Sequence, residues 1–241
     1  MAIPRHARVA AVEEPGTGTR LLELVGDDPL CFTGGQYIIV DSGLVLPSGK
    51  AVKRAYSILS PDAEQGRFQI AVKRIPGGPG SGFMHQIGVG DDIRFSGPWG
   101  RFFPQDGLSG PALILATDTG ITAALGLVQG SRFQALAPLS ILIWLRTAPE
   151  YFLPEFLVRD RSPPLCTPFR IAPIPPIGHP ERIVHARTVL REVLAGVAIE
   201  QAFVCGDGTV NYALLDDLLA AGIPATKDNL ESFFNMPKKS L

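Results

Sequence analysis

Ala112-Leu113-Ile114-Leu115-Ala116-Thr117-Asp118-Thr119-Gly120-Ile121-Thr122-Ala123 runs from five apolar residues, through a polar turn, into a helical stretch, Thr122–Gln129. A short apolar run without alternation is the pattern of a strand covered on both faces, and such strands build parallel sheets. The pattern repeats downstream. Strands are expected at Ser140–Leu145, Phe169–Ala172 and Gln201–Cys205, and helices at Glu150–Val158, Val184–Leu194 and Val210–Ala221. Strands alternating with helices predict an α/β nucleotide-binding domain with a parallel sheet over residues 109–241. Arg161–Pro180, which carries seven prolines, reads as a surface crossing.

Upstream the pattern is different. Val9–Glu13, Arg20–Val25, Gln36–Asp41, Arg54–Leu59, Phe68–Lys73 and Asp92–Phe95 are short extended segments separated by Gly, Pro and Asp. Their regular spacing predicts a six-stranded antiparallel β-barrel over residues 1–108. One short helix is expected to start near Ser81 and to run through Phe83-Met84-His85-Gln86-Ile87. The fold class is therefore two-domain, with the boundary near residue 108.

Composition narrows the function classes. The 22 basic and 23 acidic side chains leave a formal charge of −1, so no global field draws nucleic acid or an anionic membrane. No apolar run is long enough to cross a bilayer, and Met1-Ala2-Ile3-Pro4-Arg5-His6 lacks the apolar core of a secretion signal. Cys31, Cys166 and Cys205 form no C-x-x-C pair and no iron–sulfur or zinc spacing, and a sparse, odd set suits a reducing, cytoplasmic setting. His179 and His185 stand six apart, which is not the spacing that puts two ligands on one helical face, so no metal site is expected. A hydrolase is disfavoured, since neither G-x-S-x-G nor H-E-x-x-H occurs.

Three segments of the barrel half carry chemistry. In Arg54-Ala55-Tyr56-Ser57, strand alternation turns Arg54 and Tyr56 to one face, where a guanidinium can grip a phosphate and a phenol ring can stack on a flat heterocycle. Alone, the tetrapeptide reads equally as an exposed Arg beside an edge-strand Tyr. In Val72-Lys73-Arg74-Ile75-Pro76-Gly77-Gly78-Pro79-Gly80-Ser81-Gly82-Phe83, a strand runs into glycines, with Ser81 at a helix N-cap where free N–H groups face an anion; the other reading is a flexible hairpin loop. Ser96-Gly97-Pro98-Trp99-Gly100-Arg101-Phe102 is a tight turn.

In this order the three segments resemble the ferredoxin–NADP reductase family of flavoproteins, with its R-x-Y-[ST] strand, G-x-x-[ST] loop and G-P-x-G-x-F turn. Thr119-Gly120-Ile121-Thr122, Cys205-Gly206-Asp207-Gly208 and Glu231-Ser232-Phe233-Phe234 extend the likeness through the second half. The resemblance implies FAD bound by Arg54, Tyr56, Ser57, Gly80, Ser81, Gly82 and Phe83, and FAD rather than FMN because of the short helix. It implies a nicotinamide dinucleotide received by Thr119, Gly120, Thr122, Gly206 and Asp207, with Phe234 as a further cofactor contact. Ser57, Cys205 and Glu231 match the residues around the reacting atoms, nicotinamide C4 and flavin N5, between which a hydride passes. The chain holds no iron–sulfur ligand set, so the resemblance implies a separate electron carrier: a ferredoxin, a flavodoxin or an oxygenase component.

One departure stands out. Where the family shows A-G-G-T-G-I-T-P, this chain has Ala116-Thr117-Asp118-Thr119-Gly120-Ile121-Thr122-Ala123. Either Asp118 points away, or it repels a dinucleotide pyrophosphate, by roughly 1–4 kcal/mol for unit charges about 4 Å apart, and nicotinamide binding is weak or altered. That expectation motivates a second reading, a flavin-bearing relay subunit of a larger complex with weak or no use of free NAD(P)H. Arg146, at the end of the second apolar strand, is either a partner for a 2′-phosphate or a solvated side chain, which leaves NAD against NADP open.

Overall fold

The computed structural model describes residues 3–107, 110–137, 139–162, 169–224 and 226–235. The first half contains β1 (Arg5–Gly16), β2 (Thr19–Gly26), β3 (Tyr37–Val45), β4 (Ala51–Ser57), β5 (Arg67–Lys73), α1 (Pro79–Met84) and β6 (Asp92–Trp99). The six strands form one antiparallel sheet in the order β4-β3-β6-β1-β2-β5. A single bridge between Ile58 and Ile70 draws its two edges together and curls it into a barrel. Alternation turns Leu22, Leu24, Ile38, Val40, Phe68 and Ile70 inward to fill it.

The helix differs from its expected form. It begins at Pro79, with Gly78 as the cap residue, and ends at Met84. Proline suits a first helical position because its missing N–H has no partner there in any case. Ser81 therefore lies inside the helix rather than at its cap. Its hydroxyl accepts from the Ile75 N–H at 3.1 Å, which fastens the glycine loop to the helix.

The second half contains β7 (Ala112–Thr117), α2 (Ile121–Gln129), α3 (Ser131–Leu136), β8 (Ser140–Arg146), α4 (Glu155–Arg161), β9 (Phe169–Pro173), α5 (Arg182–Gly196), β10 (Gln201–Asp207), α6 (Gly208–Ala220) and β11 (Leu230–Phe234). The strands pair in parallel in the order β11-β10-β7-β8-β9. Every residue of β7, β8 and β10 is buried, which is why their sequences show no alternation. Ile114, Trp144 and Phe203 face the barrel side, and Leu113, Ile143 and Val204 face α5 and α6. Helix α4 starts after Pro154 rather than at Glu150. Helix α3 and strand β11 were not foreseen. The boundary expected near residue 108, and the prolines at 163–168 within the expected crossing, lie outside the described residues.

The halves meet closely. A Cβ placed on Gly126 would lie 2.1 Å from the Ile58 carbonyl oxygen, and one on Gly34 would lie 2.4 Å from the Gly126 carbonyl oxygen, so only glycine permits this backbone approach. The Asp62 carboxylate accepts from the N–H groups of Gly34 and Ser131. Thr19 on β2 donates to the Phe152 carbonyl at 2.8 Å. Leu21, Leu59 and Phe102 of the barrel pack into the same core as Ile114 and Phe203 of the sheet.

Candidate flavin and dinucleotide cleft

Strand β4 is an edge of the barrel sheet, so its outer backbone groups are open to a ligand. Arg54 is exposed and, among the described residues, has no carboxylate partner; its one hydrogen bond goes to the Lys53 carbonyl. Its stem lies over α1, where a Cβ on Gly80 would come within 2.7 Å of Arg54 Cγ. Tyr56 and Phe83 share a shallow dimple with Arg54, Val52 and Gly80, and Gly82 faces open space. Burial pushes the Tyr56 hydroxyl up to about 12, so the ring is neutral and its body apolar. Ser57 is buried, and its Oγ has no hydrogen-bond partner among the described residues. An orphaned buried hydroxyl marks a place where a polar ligand atom belongs.

Tyr56 and Ser57 open into a cleft of about 150 Å³ between the halves, shared with Tyr37, Lys73, Thr119 and Phe233. A larger groove, about 610 Å³, lies beside Arg5, His6, Phe95 and Trp99, and none of the motif residues except Gly97, Pro98 and Trp99 of the turn reaches it. The orphaned hydroxyl and the motif residues of both halves single out the smaller cleft.

From the sheet side, the turn after β7 brings Thr119 and Thr122 into the cleft, and Thr122 Oγ1 donates to the Thr119 carbonyl at 3.0 Å. Gly120 is required there, since a Cβ would lie 2.4 Å from the Cys205 carbonyl oxygen. Cys205 is wholly buried, and its thiol points to the Gly120 carbonyl at 3.2 Å. Burial, and then the Glu231 carboxylate, push its pKa upward, so it remains a thiol. Glu231 lies directly across from Cys205 in the parallel register. Burial pushes the Glu231 carboxyl up to about 7, and its charge acts with burial to raise the hydroxyl of Tyr37, which pairs across strands with Ser57. Tyr37 on the barrel thus approaches Glu231 on the sheet, with Gly100 beside both. Along β11, alternation sends Glu231 and Phe233 toward the barrel, whereas Ser232 meets Asn211 of α6. Phe233, not Phe234, is therefore the aromatic that lines the cleft.

Asp118 points away from the cleft, the first of the two alternatives expected of it. Its backbone is left-handed at φ 50°, a conformation that glycine enters freely and Asp tolerates. The carboxylate is fully buried. It accepts from Arg182 Nη2 at 2.6 Å, Thr147 Oγ1 at 2.9 Å and the Thr147 N–H at 2.9 Å. Asp207 is equally buried; it accepts from Arg182 Nε at 2.9 Å and from the Thr209 N–H and hydroxyl. Its side chain is thus held inside the protein rather than offered to a cofactor.

Sequence reading assigned no role to Lys73, Tyr37 or Arg182. Lys73 stands with its ammonium 3.6 Å from the centre of the Tyr151 ring and has no carboxylate partner among the described residues. Burial lowers its pKa, and the charge of Asp118 partly offsets this. Its position at the end of a strand opening on the glycine loop was the available signal; Arg182 carried none.

This pairing of an antiparallel barrel with a parallel nucleotide-binding sheet is the architecture of two-domain flavoproteins. Residues 15–103 match the oxidoreductase FAD-binding domain. Over 163 residues the chain is 38% identical to ferredoxin–NADP reductase B of Sorangium cellulosum, an alignment covering 66% of this chain and 63% of that protein. Over 116 residues it is 32% identical to the reductase component of phenol 2-monooxygenase from a Pseudomonas species, covering 48% of this chain and 31% of that one. The chain thus spans less than two thirds of these curated relatives. A ferredoxin NADP+ reductase from Neisseria gonorrhoeae, solved with FAD and NADP, shares the fold at a TM-score of 0.71 and 17% identity, over 97% of this chain and all of that one. The chain is thus similar to a ferredoxin–NADP reductase and to an oxygenase reductase component, and its barrel matches the oxidoreductase FAD-binding domain.

Proposed function

We propose that the chain is an NAD(P)H-dependent flavoprotein reductase, acting in the cytoplasm and passing electrons to a separate ferredoxin, flavodoxin or oxygenase component. The observation that carries this reading is the meeting in one cleft of Tyr56 and Ser57 from the FAD-binding barrel with Thr119 and Thr122 from the sheet edge. The relatives named as reductases support it. Bound FAD supplies hydride exchange with a nicotinamide and release of electrons one at a time. Arg54, whose guanidinium is uncommitted, would hold the FAD pyrophosphate, with α1 beneath it. Tyr56 packs its ring on the flavin and Ser57 Oγ takes a polar atom of it. Lys73 offers its charge to the dinucleotide phosphates beside Thr119 and Thr122. Glu231, with its pKa near 7, can hold or release a proton at neutral pH, while Cys205 stays a packed thiol.

Rapid mixing of the oxidised FAD-loaded protein with NADH and with NADPH tests the reading. Bleaching of the flavin band within seconds supports it. Bleaching by neither nucleotide favours the relay subunit, a reading kept because Thr117 and Asp118 stand where the resembled motif has two glycines.

A further inference from the structure

Arg182, at the start of α5, gathers the C-terminal ends of most of the sheet. Its guanidinium donates to Asp118 after β7, to Thr147 after β8, to the Pro175 carbonyl after β9 and to Asp207 at the end of β10. Asp118 and Asp207 belong to the two turns that flank the crevice between β7 and β10. There the chain reverses its direction across the sheet, and in open α/β sheets ligands bind at such a point. The same crevice is braced by Thr117, whose Oγ1 accepts from the Asp207 N–H at 2.6 Å. The Trp144 indole donates to the Asp118 carbonyl at 2.8 Å. Two buried carboxylates share one buried guanidinium, and networks of this kind fix geometry more than they add stability.

We propose that Arg182 is a positioning residue that locks the turn 117–122 to the turn 206–209, so that both meet the dinucleotide as one rigid edge. The inference rests on the reductase reading for its ligand. It makes a demand that mere structural support does not: with the Thr117–Asp207 bond left in place, loosening the Asp118 side chain must still loosen the other turn, because Asp118 also reaches Asp207 through Arg182.

Asp118→Asn and Arg182→Lys, in the full FAD-loaded chain, test this. Amide exchange is followed in both turns, and NAD+ and NADP+ binding is measured by calorimetry without turnover. Arg187→Met serves as the control, since Arg187 pairs with Asp217 and ties α5 to α6 away from either turn. Asp118→Asn is expected to speed exchange in 206–209 as well as in 117–122. Nucleotide affinity should fall roughly tenfold to hundredfold, as for the loss of one charge-assisted hydrogen bond to a phosphate. FAD content should be unchanged, and Arg182→Lys should fall between wild type and Asp118→Asn. The control should lower the melting temperature and leave affinity alone. Faster exchange confined to 117–122, or affinity that falls equally in the control, overturns the clamp. If the wild type binds neither nucleotide, the reductase reading fails, and exchange in 206–209 alone decides whether the turns are coupled.

Discussion

Arg182 Nη2 donates to Asp118 Oδ2 at 2.6 Å, with both side chains buried. The charge in the turn after β7 is therefore neutralised from within. Asp118→Ala should accordingly destabilise the fold by about 3–5 kcal/mol, the usual penalty for removing one partner of a buried ion pair. Alanine also fits poorly at φ 50°. Urea unfolding of the FAD-free protein measures this. An unchanged midpoint would mean that Asp118 and Arg182 are not paired in solution.

Arg54→Ala should release FAD. A charge-assisted phosphate contact contributes about 1.5–3 kcal/mol, or one to two decades in affinity. Because Arg54 is exposed and unpaired, the FAD-free protein should melt as before. Gly80→Val should act in the same direction by pushing Arg54 aside, since even a Cβ at that position crowds Arg54 Cγ. Fluorescence of released flavin on dilution gives both constants, and equal retention in all three proteins would detach Arg54 from the pyrophosphate.

Glu231 predicts a pH dependence whose sign follows from its raised pKa. Its carboxyl titrates at about 7 when folded, against 4.5 for an ordinary Glu. Between these values the unfolded chain has lost the proton and the folded chain keeps it, so stability declines as pH rises through the window and is level above it. The total is at most about 3 kcal/mol, at 1.36 kcal/mol per pKa unit. Glu231→Gln should remove this decline and exceed wild type at pH 8 while matching it near pH 4. Denaturant midpoints across that range decide; the same decline in the variant would assign it to other groups.

Arg146 offers a test of nucleotide choice. It is buried at the C-terminal end of β8, stacked 4.8 Å over the Trp144 ring, and its Nη1 has no hydrogen-bond partner among the described residues. A 2′-phosphate would supply that partner. Arg146→Ala should therefore weaken NADPH by about one to two decades and leave NADH nearly unchanged, as charge-assisted hydrogen bonds imply. Comparison of the two KM values checks this, and equal losses would place the arginine away from the ribose.

Much of this was legible because burial writes itself into sequence. Strands β7, β8 and β10 are covered on both faces and read as apolar runs, while the barrel strands alternate. Tyr151-Phe152-Leu153 misled because apolar residues before α4 read as its first turn. They belong instead to a turn packed against the barrel, with Phe152 at φ 72° and its carbonyl bound to Thr19. Helix α3 gave little signal, since Phe133 is its one buried residue. The R-x-Y-[ST] motif and the β7 turn led to the cleft because the residues within each are contiguous. The fate of Asp118 was illegible for the opposite reason: its guanidinium partner lies 64 positions away.

The glycine approach of α2 to the barrel carries a consequence for protein engineering. Helix α2 sends Thr122 into the cleft from its first turn and rests Gly126 on the carbonyl of Ile58, the residue after Ser57. It works as a ruler with one end in the cleft and the other on the barrel, and its markings are main-chain atoms that no rotamer change can adjust. A chimera that joins this barrel to a foreign sheet would therefore need more than a matched linker. Gly34 and the Ile58 segment would have to travel with Gly126 and Gly130, because a single methyl group at the seam would reset the spacing between the two sides of the cleft.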